Sequence, residues 1–294
     1  MNPPRDEIVQ ANGVDLCVES FGDSDDPAIL LIMGSSASMD WWEDEFCKRL
    51  AAGSRFVIRY DHRDTGRSVS YEPGAPQYAL RDLAEDAVGL LDTLGVARAN
   101  LVGMSMGGGI AQLAALDHPD RIASLTLIST SPAGPGGDDP DLPAMSEETI
   151  AEFAVDEPDW SDRAAVIEYM VQLERACAAR SGSFDEAAFR DLAGRAFDRT
   201  VNIASQLTNH NAMQAGDRWR ERLGDVRAPT LVIHGTQDPV LPYGHAVALA
   251  REIPGAELLA LEGTGHELPR AVWDVVVPAI LEHTAQSELS AEPS

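Results

Sequence analysis

The chain has 294 residues, 44% of them hydrophobic, a length that buries one sizeable core and a smaller accessory piece. Its 48 acidic side chains outnumber 22 basic ones, for a formal net charge of −26. Such a surface repels nucleic acid and anionic membranes, so neither is an expected partner.

In chain order, residues 7–21 alternate around Asn12-Gly13, as an opening hairpin does. Ala28–Met33 reads as a buried strand, and Met33-Gly34-Ser35-Ser36 as the loop leaving it. Helical spacing over about 41–52 precedes a strand at Phe56–Tyr60 and a charged loop, Asp61–Ser68. A helix at about 80–95, a strand at Ala99–Met104, a helix at about 107–118 and a strand at Leu125–Ser129 follow. The alternation then stops. A Gly/Pro/Asp-rich hinge (Ala133 to Pro140) opens an insertion with helical patterns at Asp162–Ala179 and Asp185–Thr208. It resumes with strands at Thr230–His234 and Glu257–Leu261, and helices at about 243–252 and 271–284. This order predicts an α/β fold, a mostly parallel central sheet with helices on both faces and an inserted helical cap. The expected boundaries are core at 1–132 and 214–285, cap at 133–213 and a polar tail at 286–294.

Chemistry concentrates in Gly103-Met104-Ser105-Met106-Gly107, which matches G-x-S-x-G between a strand and a helix. A strand turning abruptly into a helix strains its middle residue, and the flanking glycines give the room that packing demands. Ser105 is therefore the candidate nucleophile. Of seven histidines, His266 lies in the glycine-flanked loop Gly263–Pro269 after the last strand and is the candidate base. Asp238 stands just past a strand end, where a parallel sheet collects functional groups, and is the candidate acid. His118 and His234 read as structural, and His62 as part of a tight polar loop. His245 and His283 read as surface-helix residues, while His210, in the insertion, is a candidate substrate contact.

Two backbone N–H groups are expected to meet the oxyanion, those of Met106 and Ser35. Gly34, Trp42 and Met104 are the further candidate substrate contacts, with core packing the competing reading for Trp42. Asp61, Arg63 and Arg67 read as an internal salt-bridge network. No cluster has zinc or calcium ligand spacing and no glycine loop cradles phosphate, so neither metal nor cofactor is expected. Lys48 is the single lysine, which leaves Schiff-base chemistry almost nowhere to reside. Cys17, Cys47 and Cys177 are odd in number and widely spaced, as free thiols of a reducing compartment are. Residues 1–13 lack an apolar stretch of signal-peptide length, and no run approaches a membrane span, so a cytoplasmic protein is expected.

The order Ser105, Asp238, His266 is that of the α/β-hydrolase fold, which the chain resembles from about Glu7 to Thr284. Tyr60–Ser68 resembles the D-x-R-G-x-G-x-S stretch of its lipase, esterase and aminopeptidase branches. Met33-Gly34, Trp42, Arg59–Ser68 and Ala115-Leu116-Asp117-His118 resemble the aclacinomycin methylesterases, which hydrolyse a carboxylic methyl ester on an anthracycline. The resemblance implies a serine-esterase mechanism on a small-molecule ester. Where relatives place the acid one strand earlier, this chain has Ser129-Thr130-Ser131 and no carboxylate. Most of the superfamily has His-Gly where this chain has Met33-Gly34, and the insertion matches no pattern. Other serine-triad chemistries stay open: C–C hydrolysis, proline-type aminopeptidase, lactonase and cofactor-free haloperoxidase. So does noncatalytic ligand binding.

Overall fold

The computed structural model describes residues 6–133, 139–180, 184–214 and 216–289. Strands β1 (Glu7–Ala11) and β2 (Val14–Phe21) form the opening hairpin. Asn12 at φ 49° and Gly13 at φ 78° supply the two left-handed residues that a two-residue turn with matching twist requires. The remaining strands are β3 (Ala28–Ile32), β4 (Phe56–Tyr60), β5 (Ala99–Met104), β6 (Ile122–Ile128), β7 (Thr230–Gly235) and β8 (Glu257–Leu261). The sheet order is β1-β2-β4-β3-β5-β6-β7-β8. β2 is antiparallel to both neighbours, and from β4 onward every adjacent pair is parallel.

The helices are α1 (Asp44–Ala51), α2 (Leu80–Thr93), α3 (Met106–Asp117), α4 (Glu147–Phe153), α5 (Arg163–Cys177), α6 (Glu186–Arg199), α7 (Ile203–Ala212), α8 (Gly244–Glu252) and α9 (Trp273–Leu289). α1 and α9 cover one face of the sheet, where Ile29, Leu31, Phe46 and Trp273 share a core. α2, α3 and α8 cover the other, where Leu30, Ile32, Leu83 and Leu249 share a second. A strand covered on both faces needs apolar residues at every position, and all five residues of β3 are buried. Because the order reverses at β3, the carboxyl ends of β3 and β5 border a crevice with helices on either side. Among the described residues no helix is long and apolar enough to cross a membrane.

Helices α4 to α7 lie between β6 and β7 and have a small core of their own, including Val166, Met170, Phe189, Leu192 and Leu207. The single helix expected over 185–208 is two. The chain breaks at Thr200–Asn202 because Val201 N–H donates to Gly66 O at 2.8 Å. Asn202 then restarts the helix, its side chain accepting from Ser205 N–H. α4 spans seven residues, too few for its spacing to show in sequence. α9 continues to Leu289, beyond the expected end near 284 and into the stretch read as a tail. The middle of the hinge, 134–138, and the last residues of that tail, 290–294, lie outside the described residues.

Candidate active site

β5 ends at Met104, α3 begins at Met106, and Ser105 between them sits at φ 53°, ψ −119°. A non-glycine residue in that region costs about 1–3 kcal/mol and persists only where its surroundings over-determine it. Here they do. Ser105 N–H donates to Ile128 O at 2.9 Å, and Ser105 O accepts from Gly108 N–H and from the Thr130 hydroxyl at 2.7 Å. A Cβ on Gly103 would overlap the Gly107 carbonyl, and one on Gly107 would overlap that of Ile32. The G-x-S-x-G spacing is thus steric at both ends. In the sequence Thr130 stands out only as part of a strand end without a carboxylate. Its bond to the Ser105 carbonyl has no signal there, because a threonine at a strand end has many uses.

His266 and Asp238 reach this serine from the loops after β8 and β7. His266 Nε2 lies 3.0 Å from Ser105 Oγ, and Nδ1 lies 2.7 Å from Asp238 Oδ2. The base loop is pinned by His266 N–H, which donates to Cys177 O at the end of α5. Asp238 Oδ1 accepts from the amides of Val240 and Leu241 at 2.9 and 2.8 Å. Its Oδ2 also lies 3.2 Å from His234 Nε2, which contacts Leu241 O as well. Burial raises the Asp238 carboxyl, but the charge of His266 and hydrogen bonds from His234 and His266 overcome it, holding the group well below the usual carboxylate range. Tethered at Nδ1 to an ionised carboxylate, the imidazole presents Nε2 to the hydroxyl, the arrangement that takes a proton from an attacking serine.

Gly34 and Ser35 leave β3 directly beside the serine; a Cβ on Gly34 would lie 3.3 Å from that of Ser105. Met106 opens α3, so its amide is one of the helix's unpaired N-terminal donors. The loop is bracketed by two buried histidines. His62 Nε2–H donates to Met33 O at 3.0 Å, and burial pushes its imidazole down to about 3. His210, from α7, accepts from Ser36 N–H through Nδ1 and donates to Arg63 O through Nε2, both at 2.9 Å. Burial lowers His210 too. Ser36 itself sits at φ 61°. His210 lines the second cavity, as its sequence reading expects of a pocket residue, with both ring nitrogens committed within the protein.

Two cavities of about 510 and 790 Å³ meet at Ser105, sharing Ser35, Ser105 and Asn211 in their walls. The first is lined by Gly34, Met104, Trp41, Tyr169, Phe189 and Leu173. The second is lined by Met106, Thr130, Trp219 and His245. Trp42 requires a correction as a candidate substrate contact. It is 1% exposed, stacked on Phe46 in the core below α1, and touches neither cavity; its neighbour Trp41 lines the first. His245 and His283 are buried rather than on the surface, and His245 bonds Ser131 Oγ and Pro143 O. Of the charged loop, Arg63 makes a bidentate pair with Asp86, while Asp61 is met by Arg199 of α6. Among the described residues no three His, Cys, Asp or Glu side chains gather as metal ligands.

The first cavity also holds a group that sequence reading passed over. Glu174 of α5 lies in its wall, receiving one hydrogen bond, from Trp41 Nε1–H at 3.5 Å. Burial pushes this carboxyl up to about 7, helped by the charge of Glu267 and opposed by the Trp41 N–H and His266.

A serine, a histidine and an aspartate on three strand-end loops of a β3-centred parallel sheet define a class, and a family model described as alpha/beta hydrolase fold matches residues 27–269. The chain belongs to the α/β hydrolase fold family. Among proteins similar to it are two of 34% identity, rhodomycin D methylesterase DauP of Streptomyces sp. (strain C5) and rhodomycin D methylesterase DnrP of Streptomyces peucetius. Each alignment covers 94% of this chain and 97% of the relative. The enol-lactonase from Burkholderia xenovorans LB400 superposes with a TM-score of 0.74 at 23% identity, over 95% of this chain and 100% of that one, a likeness of fold.

Proposed function

We propose that the chain is a carboxylic ester hydrolase that forms an acyl-enzyme on Ser105, with methyl esters of bulky, ring-containing acids as its substrates. The coarse class, an enzyme acting on carboxylic esters, follows from the family and from the 34% identity to two methylesterases along nearly the whole chain. The observation that carries the mechanism is the line Asp238–His266–Ser105, joined at 2.7 and 3.0 Å where the two cavities meet.

His266 Nε2 takes the hydroxyl proton as Ser105 Oγ attacks the ester carbonyl. Charge developing on the carbonyl oxygen faces the Met106 and Ser35 amides and the N-terminus of α3. The imidazolium gives its proton to the departing alkoxide, and water repeats the cycle to free the acid. Residues 133–213 act as the cap that selects the substrate, set between core segments 1–132 and 214–285. Among the described residues neither cavity is lined by Arg or Lys, so nothing there grips a carboxylate, while an uncharged methyl ester loses little on entering. Comparing kcat/KM for a polycyclic methyl ester, a proline arylamide and a vinylogous diketone tests the reading. The methyl ester is expected to lead. An arylamide or diketone that outruns every ester overturns the ester assignment and leaves the triad standing.

A further inference from the structure

We propose that Glu174 determines specificity in the first cavity: its carboxyl accepts a hydrogen bond from a hydroxyl or ammonium group on the ring body of the ester lodged there. The nature of the ligand rests on the esterase reading; the site itself does not.

The argument begins with spacing. Met170, Leu173, Glu174 and Cys177 all line this cavity, the i, i+3, i+4, i+7 stripe of one helix face. Packing alone favours a leucine or methionine at the third of these positions, and a carboxyl there loses solvation for no packing gain. Acids elsewhere on α5 and α6 are compensated. Glu168 and Glu186 pair with Arg190, and Arg175, adjacent in sequence, turns to Glu186 instead. Glu174 receives the long Trp41 bond, and among the described residues no Arg or Lys lines its cavity. Its nearest titratable company, Glu267, His266 and Cys177, brings no fixed cation. A carboxyl with spare acceptor capacity on an otherwise apolar helix face of that wall, beside Met170, Leu173 and Cys177, is what a ligand donor would satisfy.

The test uses the full chain carrying Ser105→Ala, so that bound ester is not consumed, with calorimetric affinities for methyl naphthoate, its hydroxy analogue and its aminomethyl analogue. At least one donor-bearing ester is expected to bind roughly tenfold tighter than the plain one, the size of one hydrogen bond to a charged group. Glu174→Leu should bring that ratio close to one. Glu174→Gln should preserve a hydroxyl preference and abolish an ammonium preference, which tells the two donors apart. Should the Leu variant fail to fold, Glu174→Met makes the same comparison. Equal affinities for all three esters, including no binding of any, overturn the proposal. So does a ratio that survives Glu174→Leu, or a Leu variant that weakens all three alike. Failure of the esterase reading shows elsewhere, in the chain with Ser105 intact, as an arylamide or diketone turned over faster than every ester.

Discussion

The sheet and the helical insertion are held by different kinds of contact. In the sheet, consecutive apolar residues feed two cores from opposite faces, and the loops at the strand ends inherit their positions from hydrogen-bonded register. In the insertion, α7 is fastened to the core through buried polar side chains. Ser205 donates to Tyr71 O, Gln206 spans Ser36 O and Gly66 N–H, Asn209 donates to Asp64, and His210 bridges Ser36 and Arg63. α4 and α5 instead turn apolar side chains toward the first cavity, with Ile150 55% exposed at its wall. The insertion therefore combines a fixed bracket for the loop after β3 with a wall of the first cavity, the two parts that the proposed function assigns to the oxyanion and to the substrate.

The largest expected effect lies on the sheet side. Ser105→Ala should lower kcat by about 10⁴-fold or more without unfolding the chain, and Asp238→Asn should cost somewhat less, because triad members act as a unit. Steady-state kinetics beside a thermal melt checks this, and full activity in Ser105→Ala would sink the mechanism.

Breaking the bracket comes next. His210→Leu leaves the half-buried Ser36 N–H without its acceptor, a penalty of about 1 kcal/mol, and releases the left-handed turn beside the Ser35 amide. We expect Tm to fall and kcat to drop roughly 10- to 100-fold, with KM moving less, as for a displaced oxyanion donor. Unchanged kcat alongside a lowered Tm would reduce His210 to a structural tie.

Substitutions in the wall sharpen the contrast from the other side. Ile150→Ala and Leu173→Ala should reorder a panel of esters by several-fold in kcat/KM while shifting Tm less than His210→Leu does, since both side chains face the cavity. Equal Tm losses in both sets would erase the distinction between bracket and wall.

The smallest effect concerns pH. Glu174 has an ordinary value of 4.5, raised to about 7 in the folded chain, so between those limits the unfolded chain is ionised while the folded one holds the proton. Folding stability falls as pH rises through that window. Glu174→Gln should raise Tm relative to the parent at about pH 8 and change it little at about pH 4. Melts at the two pH values decide it.

What the sequence disclosed follows the same division. Phe56–Tyr60 and Ala99–Met104 have the expected bounds because buried parallel strands are largely apolar runs bounded by polar loops. The half-exposed edge strand Glu257–Leu261 has them because its short apolar run stands between turns. The elbow and the His266 loop were legible because glycine marks tight backbone contacts. Trp41 and Trp42 could not be told apart, since adjacent residues of a short turn point to opposite sides and either suits a pocket or a core. The break at Val201 and the bonds of His210 depend on Gly66, Arg63 and Ser36, partners distant in sequence that no periodicity announces. Glu174 was invisible for a simpler reason. In sequence it is one acid among 48.

The meeting of two cavities at one serine has a consequence for the second half of the proposed reaction. When the alcohol departs, the acyl group stays bonded to Ser105, and the space the alcohol leaves opens onto the same Ser35, Ser105 and Asn211 wall. That vacated space becomes the antechamber from which the next nucleophile approaches His266. Whatever fills it competes with water, so a small alcohol supplied in excess should capture the acyl group and turn a hydrolase into a transesterification catalyst.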